Sequence, residues 1–141
     1  MLFQIGLGSA ILIASILVYV GFISGAIAFL RRHAGQSGKV LGISRVSTTL
    51  VLATIWLLAA QTVSVWMWSF AFRLLGIFDS MEPAVYFTLV TFTTLGYGDI
   101  TLGPDWRVLS GMTAVNGLLM FGFSTAFLFD VFARMRGAVE R

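Results

Sequence analysis

The sequence predicts an all-α membrane protein with three transmembrane helices and one shorter apolar segment that enters the bilayer without crossing it. Hydrophobic residues make up 58% of the 141 residues, and only 11% are charged. A soluble domain of this size could not bury so much apolar surface, so the chain belongs in a bilayer. Its length allows one domain at most.

The three long apolar stretches are the expected membrane spans. The first covers residues 2–30, carries no charge and is long enough to cross with tilt. A cleaved signal peptide is the alternative, but the stretch lacks a basic n-region and exceeds a typical h-region, so we expect a permanent anchor. The second stretch covers residues 46–72 and ends in aromatic residues that suit a membrane interface. The third covers residues 108–132.

A shorter apolar segment, residues 81–94, lies between the second and third stretches. It is too short to span a bilayer, which predicts a re-entrant helix. Ser80 and Glu82 suit the start of a helix, and Pro83 suits its first turn. A surface amphipathic helix is the alternative.

The basic residues are unevenly distributed, which predicts the topology. Most of them lie in the loop after the first span or beyond the third span. The positive-inside rule then places that loop and the C-terminus in the cytoplasm and the N-terminus outside a plasma (inner) membrane. The loop would also favour anionic lipid headgroups by roughly 1 kcal/mol per basic residue. The basic residues of this loop are Arg31, Arg32, Lys39 and Arg45.

A distinctive heptad, Thr-Thr-Leu-Gly-Tyr-Gly-Asp, occupies residues 93–99 directly after the short segment. It resembles the selectivity filter of the potassium channel superfamily, whose usual form is T-[VIL]-G-[YF]-G-D. A glycine-rich turn outside the membrane is the alternative, but the position of the heptad between a short helix and a spanning helix favours the filter. Leu95 in place of the commoner Val is a mild departure, and we expect it to preserve selectivity.

The resemblance implies a homotetrameric channel that conducts K⁺ selectively and passively, with one filter strand from each chain. It implies K⁺ ions in the filter and no organic cofactor, and we expect no nucleic acid partner. The ions would contact the Thr94 hydroxyl and the main-chain carbonyls of residues 94–97, and glycine tolerates the positive φ that this arrangement needs. The residues implied to bind K⁺ are Thr94, Leu95, Gly96, Tyr97 and Gly98.

Four further residues are implied to support the filter: Thr93, Asp99, Tyr86 and Val90. Related channels often carry a Trp pair on the pore helix, where this chain has Tyr86 and Phe87. Tyr86 retains a hydroxyl that can donate toward Asp99 or the filter flank. One subgroup places a buried Glu where this chain has Val90, so a stiffening Glu–Asp pair is absent here.

The third span is expected to line the pore. Gly117 lies eighteen residues beyond Asp99, where related channels carry a hinge glycine, and Gly122 is a second hinge candidate. Close packing of helices through small residues is the alternative for both glycines. A ring of four apolar side chains can close a pore by dewetting. The candidates for the cavity or gate are Asn116, Met120, Phe121, Thr125 and Phe129.

We divide the chain into residues 1–45, an extra transmembrane helix with a basic loop, and residues 46–141, a potassium channel pore domain. Within the pore domain the outer helix covers 46–75, the pore helix 81–93, the filter 93–99 and the inner helix 107–135. We expect the extra helix to pack at the periphery of the pore domain; subunit docking or lipid binding are the alternatives.

The chemistry of the chain argues against an enzyme, because it contains one His, no Cys and six carboxylate side chains. Two other functions remain open. One is a weakly selective cation channel, against which the intact Gly96-Tyr97-Gly98-Asp99 run argues. The other is a non-conducting membrane subunit that regulates a partner.

Overall fold

The structure is a computed structural model that describes residues 1–34 and 43–139, and the side chains of all of these except 29–34, 43–45 and 136–139. The described residues form four helices and no strand, in agreement with the predicted all-α class. The basic loop expected to contact lipid lies outside this description: Lys39 is not described, nor are the side chains of Arg31, Arg32 and Arg45. The helices are α1 (Leu2–Ala34), α2 (Ile43–Leu74), α3 (Met81–Phe92) and α4 (Arg107–Val139).

Three of these helices are long and apolar enough to cross a membrane. The candidate spans are Leu2–Ala28, Val46–Leu74 and Arg107–Met135. The helix α3 has only 12 residues, too few to span. Near the end of α4, Arg134 forms an ion pair with Asp130 one turn earlier, with its Nε donating to the Oδ2 over 2.8 Å.

A glycine ends α2 and turns the chain toward α3. Gly76 has φ +69°, and its N–H donates to the Arg73 carbonyl over 3.1 Å. The N–H of Ile77 reaches back to the Phe72 carbonyl, also over 3.1 Å. This pair of bonds is the Schellman arrangement, which caps the last carbonyls of a helix and favours glycine at the left-handed position. The helix therefore stops at Leu74 and leaves a short connection to α3.

Aromatic rings fasten α3 to the end of α2. The Phe87 ring of α3 lies 5.4 Å from the Phe72 ring and 5.5 Å from the Phe78 ring, measured between centroids. Trp68 lies one turn before Phe72 with its ring centroid 6.0 Å away, and both side chains are fully buried. Aromatic pairs at these separations contribute about 0.5–1.5 kcal/mol each beyond the area they bury. The position of α3 thus depends on this cluster.

The helix α1 packs along α4 in the same chain direction. Near their starts the rings of Phe3 and Trp106 lie 6.5 Å apart. Further along, Gly8 is buried so closely against α4 that an added Cβ would overlap the Met112 sulfur and touch Leu109.

The second neighbour of α1 is α2, which runs in the opposite direction. The Trp56 indole N–H donates to the Phe22 carbonyl over 2.9 Å, and the two rings lie 5.3 Å apart. A Cβ at Gly25 would also contact the Trp56 ring, at 3.7 Å, whereas a Cβ at Gly21 would meet nothing within 4 Å in this chain. Of these three glycines, Gly8 is therefore the one packed most tightly against a neighbouring helix.

We predict that Gly8→Leu destabilises the helix bundle by about 1–3 kcal/mol, because the new side chain must push α1 away from α4. Gly6→Leu is the matched control, since a Cβ at Gly6 meets nothing within 4 Å. Thermal unfolding of the purified protein in detergent measures both. Equal melting temperatures for the two variants would contradict the packing of α1 on α4.

Candidate functional site

The loop of residues 93–99 begins where α3 ends, and main-chain hydrogen bonds hold its first half against the last turn of the helix. The helix begins after Ser80, which has an extended backbone and makes no side-chain cap. At the other end, the Val90 carbonyl accepts the N–H groups of Leu95, over 3.0 Å, and Gly96, over 3.2 Å. Val90 therefore contacts the loop through its carbonyl, a role that its side-chain identity does not reveal.

Along the loop, the backbone alternates between left-handed residues with positive φ and residues with negative φ. The φ angles of Thr94, Gly96 and Gly98 are +59°, +57° and +78°, whereas Leu95 and Tyr97 between them have negative φ. Glycine adopts positive φ without a Cβ clash, but for threonine the left-handed region costs about 1–2 kcal/mol. An alternating backbone of this kind turns successive peptide groups toward the same side of the strand. The N–H of Thr94 donates to the Thr91 carbonyl over 2.9 Å, and this bond helps to hold Thr94 in its strained conformation.

Every residue of the loop is exposed in the single chain. The exposed fraction is 55% for the Leu95 side chain and 68% for Tyr97, although both are large and apolar. The loop borders an open cleft of about 630 Å³ that continues past Thr91 to Arg107 and Ser110 at the start of α4. The chain thus presents an irregular, polar main chain on an uncovered surface between two apolar helices.

A hydrogen bond from α3 holds the far end of the loop. The Tyr86 hydroxyl donates to the Asp99 Oδ2 over 2.6 Å, which is the contact that the sequence predicts for Tyr86. This bond stabilises the charged carboxylate, so it lowers the pKa of Asp99, and it raises the pKa of Tyr86. A carboxylate with a lowered pKa adds stability above its ordinary pKa of 3.8, and that stability is lost as the pH falls through the lowered value.

The Thr93 hydroxyl, at the start of the loop, donates to the Leu89 carbonyl over 2.7 Å. The loop is consequently tied to α3 at both ends, through Thr93 at one end and Asp99 at the other. Among the described residues, no group of His, Asp or Glu side chains converges to hold a metal ion. The oxygens that this loop offers are its main-chain carbonyls and the side-chain oxygens of Thr93, Thr94, Tyr97 and Asp99.

The two glycines singled out in α4 have different surroundings. A Cβ at Gly117 would overlap the carbonyl oxygen of Phe92, the last residue of α3, whereas a Cβ at Gly122 would meet nothing within 4 Å. The rings of Phe92 and Phe121 add a contact at 6.1 Å between centroids. Gly117 is therefore the position at which α4 packs against the end of α3. This is the close packing given as the alternative to a hinge, and the sequence does not indicate its partner.

The five cavity or gate candidates of α4 fall into two groups. The side chains of Asn116 and Met120 are fully buried inside the chain, whereas Phe121, Thr125 and Phe129 are exposed. Neither polar atom of the Asn116 amide has a hydrogen-bond partner in the described part of the chain. Because the exposed three are spaced four residues apart, they lie on one face of the helix.

Comparison with known proteins identifies the region that contains this loop. A protein-family model described as an ion channel matches residues 46–134, well over half of the chain. The chain belongs to this ion channel family. No curated protein and no solved structure matches the chain significantly. The matched region covers nearly all of α2, all of α3 and most of α4, so the exposed loop lies in the channel part of this membrane protein and the whole of α1 lies outside it.

We predict that Tyr86→Phe raises the pKa of Asp99 toward its ordinary value, because the ring remains while the donated hydrogen bond is lost. The acid-range stability contributed by Asp99 should shrink with it. Carbon-13 NMR of labelled Asp carboxyls during a pH titration measures the pKa, and Asp99→Asn identifies the signal by its loss. An unchanged pKa of Asp99 in Tyr86→Phe would show that the bond does not form.

We also predict that Gly117→Ala destabilises the channel by about 1–3 kcal/mol, since the methyl group cannot avoid the Phe92 carbonyl without moving backbone. Gly111→Ala serves as the control in the same helix, because its Cβ meets nothing within 4 Å. Melting temperatures of the two variants in detergent test this difference. Equal stabilities would contradict the close contact between α4 and α3.

Proposed function

We propose that this ion channel is selective for K⁺, which it conducts passively through a pore formed by four copies of the chain, with residues 93–99 as the selectivity filter. The observation that carries the proposal is the alternation of φ at Thr94, Gly96 and Gly98 in an exposed loop. That loop lies inside the region matched by an ion channel family. Its sequence also resembles the potassium channel filter.

The chemistry of K⁺ explains why such a backbone is needed. A pore that selects this ion must replace its hydration shell with rings of oxygen atoms of suitable number and spacing. A strand of alternating hand offers its carbonyl groups at one side and its apolar side chains at the other. The carbonyls of residues 94–97 and the Thr94 hydroxyl are the oxygens that we assign to the ions. Leu95 and Tyr97 then face the surrounding protein.

The exposure of the loop supports an assembly of several copies. Irregular backbone cannot face lipid at membrane depth, because its polar groups would lack hydrogen-bond partners. In the single chain, residues 93–99 are all exposed, so other protein must cover them. Each chain supplies one strand, and a closed ring around an ion is obtained by rotational symmetry. A homotetramer with the four loops at its axis meets both requirements and fits the family resemblance.

The exposed face of α4 suits the inner part of the same pore. Phe121, Thr125 and Phe129 lie on this face, while Asn116 and Met120 are buried against the rest of the chain. We assign the first three to the pore wall, where four Phe129 side chains can form an apolar constriction. Bending of α4 at Gly117 or Gly122 would widen it. The uneven distribution of basic residues supports an orientation with the N-terminus outside and the C-terminus in the cytoplasm.

The proposal is tested by ion flux into liposomes that contain the purified protein. We predict K⁺ and Rb⁺ uptake with strong preference over Na⁺. Equal uptake of Na⁺ would indicate a weakly selective cation channel, and no uptake would indicate a regulatory subunit. Either result would contradict the proposal.

We predict that Gly96→Ala abolishes K⁺ flux and leaves the tetramer intact, because alanine is strained at the φ of +57° found at this position. Gly103→Ala is the matched control: Gly103 lies in the following loop, has no positive φ, and its Cβ would meet nothing within 4 Å. Flux in liposomes and tetramer mass in detergent are measured for both variants. Selective K⁺ flux through Gly96→Ala would contradict the filter assignment.

A further inference from the structure

Three helices meet at a polar cluster midway along their lengths, outside the filter and the pore wall. Its members are Tyr19 of α1, Gln61 of α2 and Ser124 of α4; we call this set the polar node. The Tyr19 hydroxyl bonds the Ser124 hydroxyl, and the Gln61 Nε2 donates to the same Ser124 oxygen over 2.9 Å. Tyr19 is fully buried, and Ser124 is 8% exposed.

The bonding capacity of Ser124 is fully used. A hydroxyl has one donor and can accept two hydrogen bonds. Ser124 donates to the Met120 carbonyl of its own helix over 2.9 Å, so it accepts from Gln61 and from Tyr19. Each partner comes from a different helix, and no residue of the node is charged. The node therefore connects α1 and α2 to α4 at a single oxygen atom.

The apolar surroundings make this connection difficult to replace. A hydroxyl or amide in a membrane interior has no water to bond when its partner leaves. The α1 residues that face the bundle near Tyr19 include Ser15, which is fully buried and whose hydroxyl has no partner in the described part of the chain. A displaced Ser124 would take away the acceptor that the buried Tyr19 hydroxyl uses here.

The position of Ser124 on α4 links the polar node to any bending of this helix. Ser124 lies seven residues, or two helical turns, beyond Gly117, which packs on the end of α3. Contacts at Gly117 and at Ser124 therefore hold both ends of this part of α4 against neighbouring helices. The helix is continuous from Arg107 to Val139 in this structure. Any bend at Gly117 or Gly122 that carries the last turns of α4 outward must move Ser124 away from α1 and α2.

We propose that α1 is a built-in restraint on opening, which uses the polar node to hold α4 in its straight, closed conformation; this rests on the proposed channel function. The extra helix then regulates the pore without contacting an ion. Loss of the Tyr19 or Gln61 donor lowers the free energy needed to bend α4. An interhelical hydrogen bond of this kind in a membrane protein corresponds to about a threefold change in an equilibrium constant.

The test is single-channel recording of the full chain in lipid bilayers, comparing Tyr19→Phe and Gln61→Leu with the unaltered protein. We expect each variant to raise the open-to-closed equilibrium constant of each subunit by about threefold, which lengthens the open time relative to the closed time. The preference for K⁺ over Na⁺ should not change. Thr62→Val is the matched control: it removes a hydroxyl beside Gln61 that bonds only the Leu58 carbonyl of its own helix, over 2.8 Å. Open times that match this control in both variants would overturn the restraint.

A second measurement tests the node without conduction. Thermal unfolding of Tyr19→Phe, Ser124→Ala and the double variant gives a coupling between the two positions, and we expect the double variant to lose less stability than the two single losses added together. Additive losses would overturn the direct connection of α1 to α4. The two failures are distinguishable: an unaltered protein that passes no K⁺ contradicts the proposed function, whereas a conducting protein with unresponsive variants contradicts only the restraint.

Discussion

The main physical constraint on this membrane protein is that the irregular, polar main chain of its exposed loop must be shielded from lipid. Residues 93–99 leave α3 as a strand of alternating hand, and they are exposed in the single chain. Lipid cannot satisfy such a backbone, so inside a membrane it must be surrounded by other protein or by water. The strain at Thr94 adds to the cost, because threonine rarely adopts positive φ. In the function that we propose, copies of the chain arranged around the loop supply the cover, and dehydrated cations supply partners for the carbonyls.

The remaining elements serve to hold that loop in place. The aromatic cluster of Phe72, Phe78 and Phe87 fixes α3 on α2, and Gly117 lets α4 pack against the end of α3. Hydrogen bonds then tie the loop to α3, from the Val90 carbonyl at one end and the Tyr86 hydroxyl at the other. The helix α1 lies entirely outside the family match, yet it packs along α4 through Gly8 and Tyr19. The structure therefore combines a channel region with an added helix that contacts α4.

Sequence alone predicted what depends on length, polarity and local conformation. The three spans, the short helix and the Tyr86 bond to Asp99 follow from hydropathy, segment length and the placement of a donor. The sequence did not predict which face of α4 is buried, because a helix that is apolar on all sides does not show which side faces the protein. Asn116 and Met120, which are buried, were therefore grouped with the exposed Phe129. The contacts of Gly117 and of the polar node also could not be predicted. They join residues far apart in the chain and depend on how the helices pack.

Imaging of the purified protein with bound cations tests the central claim most directly. Anomalous scattering from Rb⁺ or Tl⁺ in crystals shows where the ions lie and which atoms surround them. We predict a fourfold axis with a row of ion sites along it, each contacted by main-chain oxygens of residues 94–97. Twofold or threefold particles, or carbonyls turned away from the ions, would contradict the account.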